Sequence, residues 1–185
     1  MAEYTPNYNL KKPGQDDFYN VDDFNENADI IDQALKAHDD AINEHLHAKT
    51  ARFVIGTSEA GWTEKDCDYL CDGTNDQEEI NNAIDALLAS GGEIVILDGT
   101  YNITASINIP KDNVSIRGNG NATVLKRMWN SSSPEGVITL ISAKGCRVEN
   151  LQIDGNKIEH TAVNNCGIYL SSSSNNTIIG NTCNN

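Results

Sequence analysis

Three groups of residues have types and spacing that could do chemistry. His45-Leu46-His47 sets two imidazoles close together, and imidazole suits transition-metal ions. Residues two apart on a helix point to different sides. His45 and His47 are therefore weak metal candidates unless the helix ends by Leu46, and no metal site is assigned. Asp154 and Glu159 could serve as the paired carboxylates that glycoside hydrolysis requires. Asp154 repeats the turn position of Asp98, however, and Glu159 sits in the polar stretch Lys157–His160. Turn and loop roles are preferred, and no catalytic residue is assigned. Cys67 and Cys71 could be half of a zinc site, but a second pair at ligand spacing is missing. The five cysteines, which also include Cys146, Cys166 and Cys183, read as small, buried residues of a protein kept reduced. Asp76, Glu78 and Glu79 read as charges complementing a helix N-terminus rather than as a calcium site, which needs several converging oxygen ligands. No cofactor is expected.

The chain that must position these residues has 185 residues, with 27 acidic against 13 basic side chains and a net charge of −14. A nucleic-acid binder normally carries a basic patch, so that class is disfavoured. The start, Met1-Ala2-Glu3-Tyr4, lacks the basic and apolar regions of a signal peptide. No apolar run is long enough to span a membrane. Synthesis in a bacterial cytoplasm without export fits these features.

The clearest periodic element lies at residues 21–47. Val21, Phe24, Ala28, Ile31, Leu35, His38, Ile42 and His45 step alternately by three and four, a heptad stripe of the kind that joins helices of separate chains. A helix this acidic is marginal alone, so the stripe predicts a partner, and a homotrimer is expected. Residues 1–20 precede it without periodicity. Tyr4, Tyr8, Leu10, Phe18 and Tyr19 give that segment more large apolar surface than a solvated tail would carry, so it is expected to attach to something. Residues 48–66 read as a connector.

Residues 67–185 are organised differently. Thr74 and Gln77 fit a capping box, followed by an apolar face at Ile80, Ala83, Ile84, Leu87 and Leu88, and by Gly91-Gly92 as a stop. Short β-branched runs then alternate with turns at Asp98-Gly99, Arg117-Gly118, Asp154-Gly155 and Gly180. Each strand is too short to bury a face alone, and recurrent spacing suggests stacked turns. Asn119, Asn121, Asn156, Asn164, Asn165, Asn175, Asn176 and Asn181 suit sharp corners, because asparagine tolerates left-handed backbone angles. Lys126–Gly136 interrupts the pattern as a side loop. The last strand reaches Asn185 without a cap, as in the front part of a longer protein.

Gly91, Gly92, Val95, Leu97, Gly99 and Tyr101 resemble the entrance of the pectate-lyase-like right-handed β-helix proteins. That resemblance implies a mainly β fold, a right-handed parallel β-helix (solenoid) preceded by an N-terminal α-helical coiled coil. The N-terminal wording YTPNYNLKKPGQDDFYNVDDFNENADIIDQAL also resembles the start of phage and prophage tail-fibre and baseplate-attached proteins. It implies an anchoring front of a trimeric fibre or tailspike, joined to a phage tail or baseplate protein and leading to a region that binds a host surface glycan. Iron-binding His-x-His repeats occur in such fibres. The alternative is a polysaccharide depolymerase whose catalytic coils lie beyond residue 185. The Gly-His-Gly and Arg-x-Lys signatures of the hydrolases, and the calcium-binding carboxylates of the lyases, do not occur in the residues present.

Overall fold

The computed structural model describes residues 3–12, 21–47 and 51–184. The chain divides into two compact units, Met1–Lys49 and Thr50–Asn185.

In the first unit, β1 (Glu3–Tyr4) pairs antiparallel with β2 (Lys11–Lys12), and a 27-residue helix α1 (Val21–His47) follows. Thr5 closes the hairpin: its backbone N–H donates to the Leu10 carbonyl, and its Oγ1 accepts from the Leu10 N–H, both at 2.9 Å. The hairpin docks on α1 through Asn27, whose Oδ1 accepts from Lys11 N (2.8 Å) while its Nδ2 donates to the Lys11 carbonyl (2.9 Å). Lys11 also forms an ion pair with Asp23. These contacts use the face carrying Asp23 and Asn27, where Ile30 and Ala34 are also partly buried. The heptad stripe lies off that face and is exposed along its described length.

The second unit holds β3 (Arg52–Thr57), a 3-10 turn at Ser58–Ala60, β4 (Tyr69–Cys71) and α2 (Gln77–Ala86). Then come β5 (Gly92–Ile96), β6 (Gly99–Ile103), β7 (Ile107–Ile109), β8 (Val114–Arg127) and β9 (Glu135–Ile141). The last four strands are β10 (Arg147–Asp154), β11 (Asn165–Ser171), β12 (Thr177–Ile179) and β13 (Thr182–Asn184). Eight strands form one sheet in the order β12-β10-β8-β5-β3-β4, with β6 also on β8 and β13 also on β10. Strands β7, β9 and β11 form a second, three-stranded sheet. All pairings in both sheets are parallel.

Register aligns apolar side chains into ladders. One runs Phe53–Ile94–Ile116–Val148–Ile178, and another Tyr101–Leu125–Ile153–Cys183. One hydrophobic cluster joins both sheets with Ile80, Ala83, Ile84 and Leu87 of α2 and its end. Burying each such isoleucine or leucine contributes ~1.5–3 kcal/mol. Lys111 ties the end of α2 to the strand region: its Nζ donates to the carbonyls of Ile84 (3.1 Å), Asp85 (2.7 Å) and Leu87 (2.6 Å). Gly91 allows the tight exit, since at φ 92° a Cβ would meet the Asn113 carbonyl oxygen at 2.4 Å.

The fold corrects the expected architecture. In place of a right-handed β-helix solenoid led by a coiled coil, the chain has a sheet-based α/β unit, and the N-terminal element is a single α-helix braced by a hairpin. The reason is visible in β8. Arg117-Gly118 has the composition of a turn, but β8 runs through it for 14 residues. Gly120, at φ 63°, sits where the ladder to β10 shifts register twice, from Glu149↔Arg117 to Leu151↔Gly120 and then to Gln152↔Val124, before pairing resumes through Ile153↔Leu125. β8 therefore carries β5 and β6 end to end on one edge and β10 on the other, gathering eight strands into one sheet. The capping box is also corrected. α2 begins at Gln77 with Asp76 as its N-cap, and the Gln77 amide instead pairs with Thr104, accepting from its N–H (2.9 Å) and donating to its Oγ1 (3.1 Å).

Candidate functional site

The alternation of β8 from Thr123 places Thr123, Leu125 and Arg127 on its inward face. Arg127 is thus carried into the interior by strand period rather than by its own chemistry, and only 1% of it is exposed. Its Nη2 donates to the carbonyls of Glu135 (3.0 Å) and Cys166 (2.7 Å), and its Nη1 to Asn165 Oδ1 (3.4 Å). The guanidinium lies 3.7 Å from the Trp129 ring centre, a cation–π contact. Burial pulls the Arg127 pKa below its ordinary value, while the Glu135 and Cys166 side chains oppose that shift. The Glu135 carboxylate is itself turned to Ser131 Oγ (2.8 Å) and Trp129 Nε1 (3.4 Å). Among the described residues, Arg127 forms no ion pair.

Arg127 borders a cavity of about 410 Å³, within the usual size of small-molecule sites, which Lys157, His160, Asn165, Cys166 and Cys183 also line. The loop between β10 and β11 forms its rim. Asn156 shapes that loop at φ 43°, with its Nδ2 donating to the Arg127 carbonyl (3.1 Å). Asn165 Nδ2 donates to the His160 carbonyl (3.0 Å), so one asparagine holds both the guanidinium and the loop. His160 Nδ1 is buried without a hydrogen-bond partner. Among the described residues, no carboxylate lines the cavity.

Asp154 and Glu159 do not form a pair in this site. Asp154 Oδ1 accepts from the Asn156 N–H (2.9 Å) as a turn brace, and Glu159 is exposed. Arg127 escapes sequence reasoning because Lys126–Gly136 has the composition of a side loop, whereas β8 extends to Arg127. The signal that could have found it is an arginine in phase with Thr123 and Leu125.

A second cluster brings Cys71, Asp76 and Glu79 together, their ligand atoms within 4.8 Å of one another. Both Asp76 oxygens are engaged, by the N–H groups of Gly73 (2.8 Å) and Asn102 (2.7 Å), and the Cys71 thiol faces the Asp76 carbonyl (3.7 Å). Burial raises the pKa of all three. The arrangement is a clamp joining β4, the start of α2 and β6.

On the first unit, Tyr4 and Tyr8 are exposed and Leu10 is partly buried in the hairpin. Val21, Phe24, Ala28, Ile31, Leu35, His38 and Ile42 are exposed on α1, with Phe24 at 60% and Leu35 at 59%. Phe18 and Tyr19, and the side chains of His45 and His47, lie outside the described residues. The helix continues through His47. Among the described residues, no helix is long and apolar enough to cross a membrane.

No protein-family model matches the chain, and no curated protein matches it. Among solved structures it is similar to ORF18 of Geobacillus virus E2, with a TM-score of 0.53 and 19% sequence identity. The likeness covers 97% of this chain and 31% of the phage protein. At this identity it is a likeness of fold: a phage protein contains a region folded like this one.

Proposed function

We propose that this chain is a structural and attachment protein of a phage or phage-like particle, the anchoring front of a trimeric tail fibre that leads to a host-binding region. The observation that carries this reading is the apolar stripe of α1. Val21, Phe24, Ile31, Leu35 and Ile42 are 46–60% exposed on a helix that meets the hairpin through Asp23 and Asn27, off this stripe. An apolar surface repeating every seven residues is buried by further helices of the same kind. Ile31 at a d position beside Leu35 at an a position favours more than two chains. Tyr4 and Tyr8, exposed on the hairpin next to that helix, supply the surface for a tail or baseplate protein. The fold shared with a phage protein supports the setting.

Sedimentation equilibrium of the whole chain tests this reading. A mass of three chains is expected at micromolar concentration, and Leu35→Asp should reduce it to one chain while the far-ultraviolet signature of the sheets persists. A monomeric wild-type mass, or a trimer indifferent to Leu35→Asp, would overturn it.

A further inference from the structure

We propose that the N-terminal hairpin is a second part of the interface between copies of this chain, with Lys12 of one copy paired to Asp32 on the helix of the next. This inference rests on the trimeric reading of the α1 stripe and deepens it. With Val21, Ala28 and Leu35 at a, Asp23 and Ile30 are c positions, and Asn27 and Ala34 are g positions. These four are the partly buried residues among the described side chains of α1. The hairpin therefore lies on the c and g flank, beside the d edge of the apolar stripe.

In parallel coils the e and g positions normally carry opposite charges, which set partner and orientation. α1 departs from that rule. Its e positions are Asn25, Asp32 and Asp39, but its g positions, Asn27, Ala34 and Ala41, hold no cation. Asn27 instead spends its amide on the Lys11 main chain, accepting from the N–H at 2.8 Å and donating to the carbonyl at 2.9 Å. The g flank thus receives positive charge from a docked strand rather than from the helix itself. Lys11 turns back to Asp23 of its own helix, on the side of g that lies away from the stripe. Successive side chains of a strand leave opposite faces, so the exposed Lys12 is directed away from Asp23, towards the d edge. Asp32 is the next e residue beyond Asn27, and in a parallel coil the e edge of one helix adjoins the g edge of its neighbour. The occupant of this flank is a second copy of the chain, selected by charge complementarity. The flexible four-carbon stem of lysine lets the ammonium meet that carboxylate.

Sedimentation equilibrium of the whole chain at fixed ionic strength tests the pair by charge exchange. An exposed ion pair shifts an equilibrium by up to about fivefold, and three symmetric pairs compound to as much as about a hundredfold. Lys12→Glu should therefore weaken trimer association by about tenfold or more. Adding Asp32→Lys to the same chain reverses the pair and should restore association. Adding Glu26→Lys instead gives the same net charge at an f position, on the side away from the stripe, and should not restore it. Each variant should keep the far-ultraviolet signature of the sheets. A trimer indifferent to Lys12→Glu, or one restored as well by Glu26→Lys as by Asp32→Lys, would overturn the role of the hairpin and leave the stripe standing. A monomeric wild type would overturn both.

Discussion

Individual side chains in the second unit act mainly by holding backbone groups of distant segments, and their titration reports on that role. Glu135 is the clearest case. Burial alone would raise its pKa, but hydrogen bonds from Ser131, Ser106 and Trp129 and the Arg127 charge bring it below the ordinary value. A carboxylate with a depressed folded pKa contributes stability above its unfolded pKa of about 4.3, and that contribution is lost as pH falls through the folded value. Asp76 and Glu79 are shifted upward by burial, so they contribute the opposite slope, gaining stability as pH falls. The informative measurement is therefore a difference. Between pH 6 and pH 3, melting of wild type should fall more steeply than melting of Glu135→Gln; parallel curves would show that Glu135 is not held as its contacts imply. The same residues show the limit of sequence reading. That Asp154 braces a turn was legible, because aspartate bonding a backbone N–H two residues on is a local event. That Arg127 is buried was not, because its partners Glu135, Asn165 and Cys166 arrive from elsewhere in the chain.

At the scale of elements, asparagines join parallel strands as well as shape corners. Asn176 Oδ1 accepts from the Cys146 N–H (2.8 Å), and its Nδ2 donates to the Ala143 carbonyl (3.1 Å). Asn181 repeats the pattern on Leu151 (3.2 Å) and Val148 (2.9 Å). Each side chain thereby continues the backbone pairing where a strand bends away. Asn176→Ala leaves two main-chain groups without these partners and should cost ~1–3 kcal/mol in denaturant unfolding. Exchange of the Cys146 amide with solvent should accelerate; an unchanged exchange rate would count against the bridge. The sequence marked these asparagines as corner formers, and Asn156 and Asn175 do have positive φ. Asn176 and Asn181 carry a second role that no local pattern announces, since their partners lie 30 and 33 residues away. The glycine stretch of β8 misled for the converse reason. Gly118-Asn119-Gly120 has turn composition and only Gly120 of it pairs with β10, between two shifts of register, yet β8 continues past it to Arg127. The helix stripe was readable because its period is a property of one segment alone.

At the scale of the whole molecule, net charge opposes the association that the helix stripe favours. α1 carries Asp22, Asp23, Glu26, Asp29, Asp32, Asp39, Asp40 and Glu44, and Lys36 is its basic counterpart, already engaged with Asp40. Bringing several such helices together concentrates like charge. Raising salt from about 0.01 M to 0.15 M shortens the screening length from roughly 30 Å to 8 Å. The associated form should therefore be favoured by salt in sedimentation runs; dissociation on adding salt would mean that ion pairs, not the apolar stripe, hold the chains. The sheet order has a different consequence, for how the molecule is made. From β3 outward, β5, β8, β10 and β12 each join the edge left by a strand synthesised before them, and β7, β9 and β11 do the same. No strand must be inserted between two earlier ones. Parallel pairing across long separations is slow in a complete chain searching all its edges at once. A chain emerging from the ribosome at about 5–20 residues per second meets one open edge at a time, so translation itself can set the order of assembly.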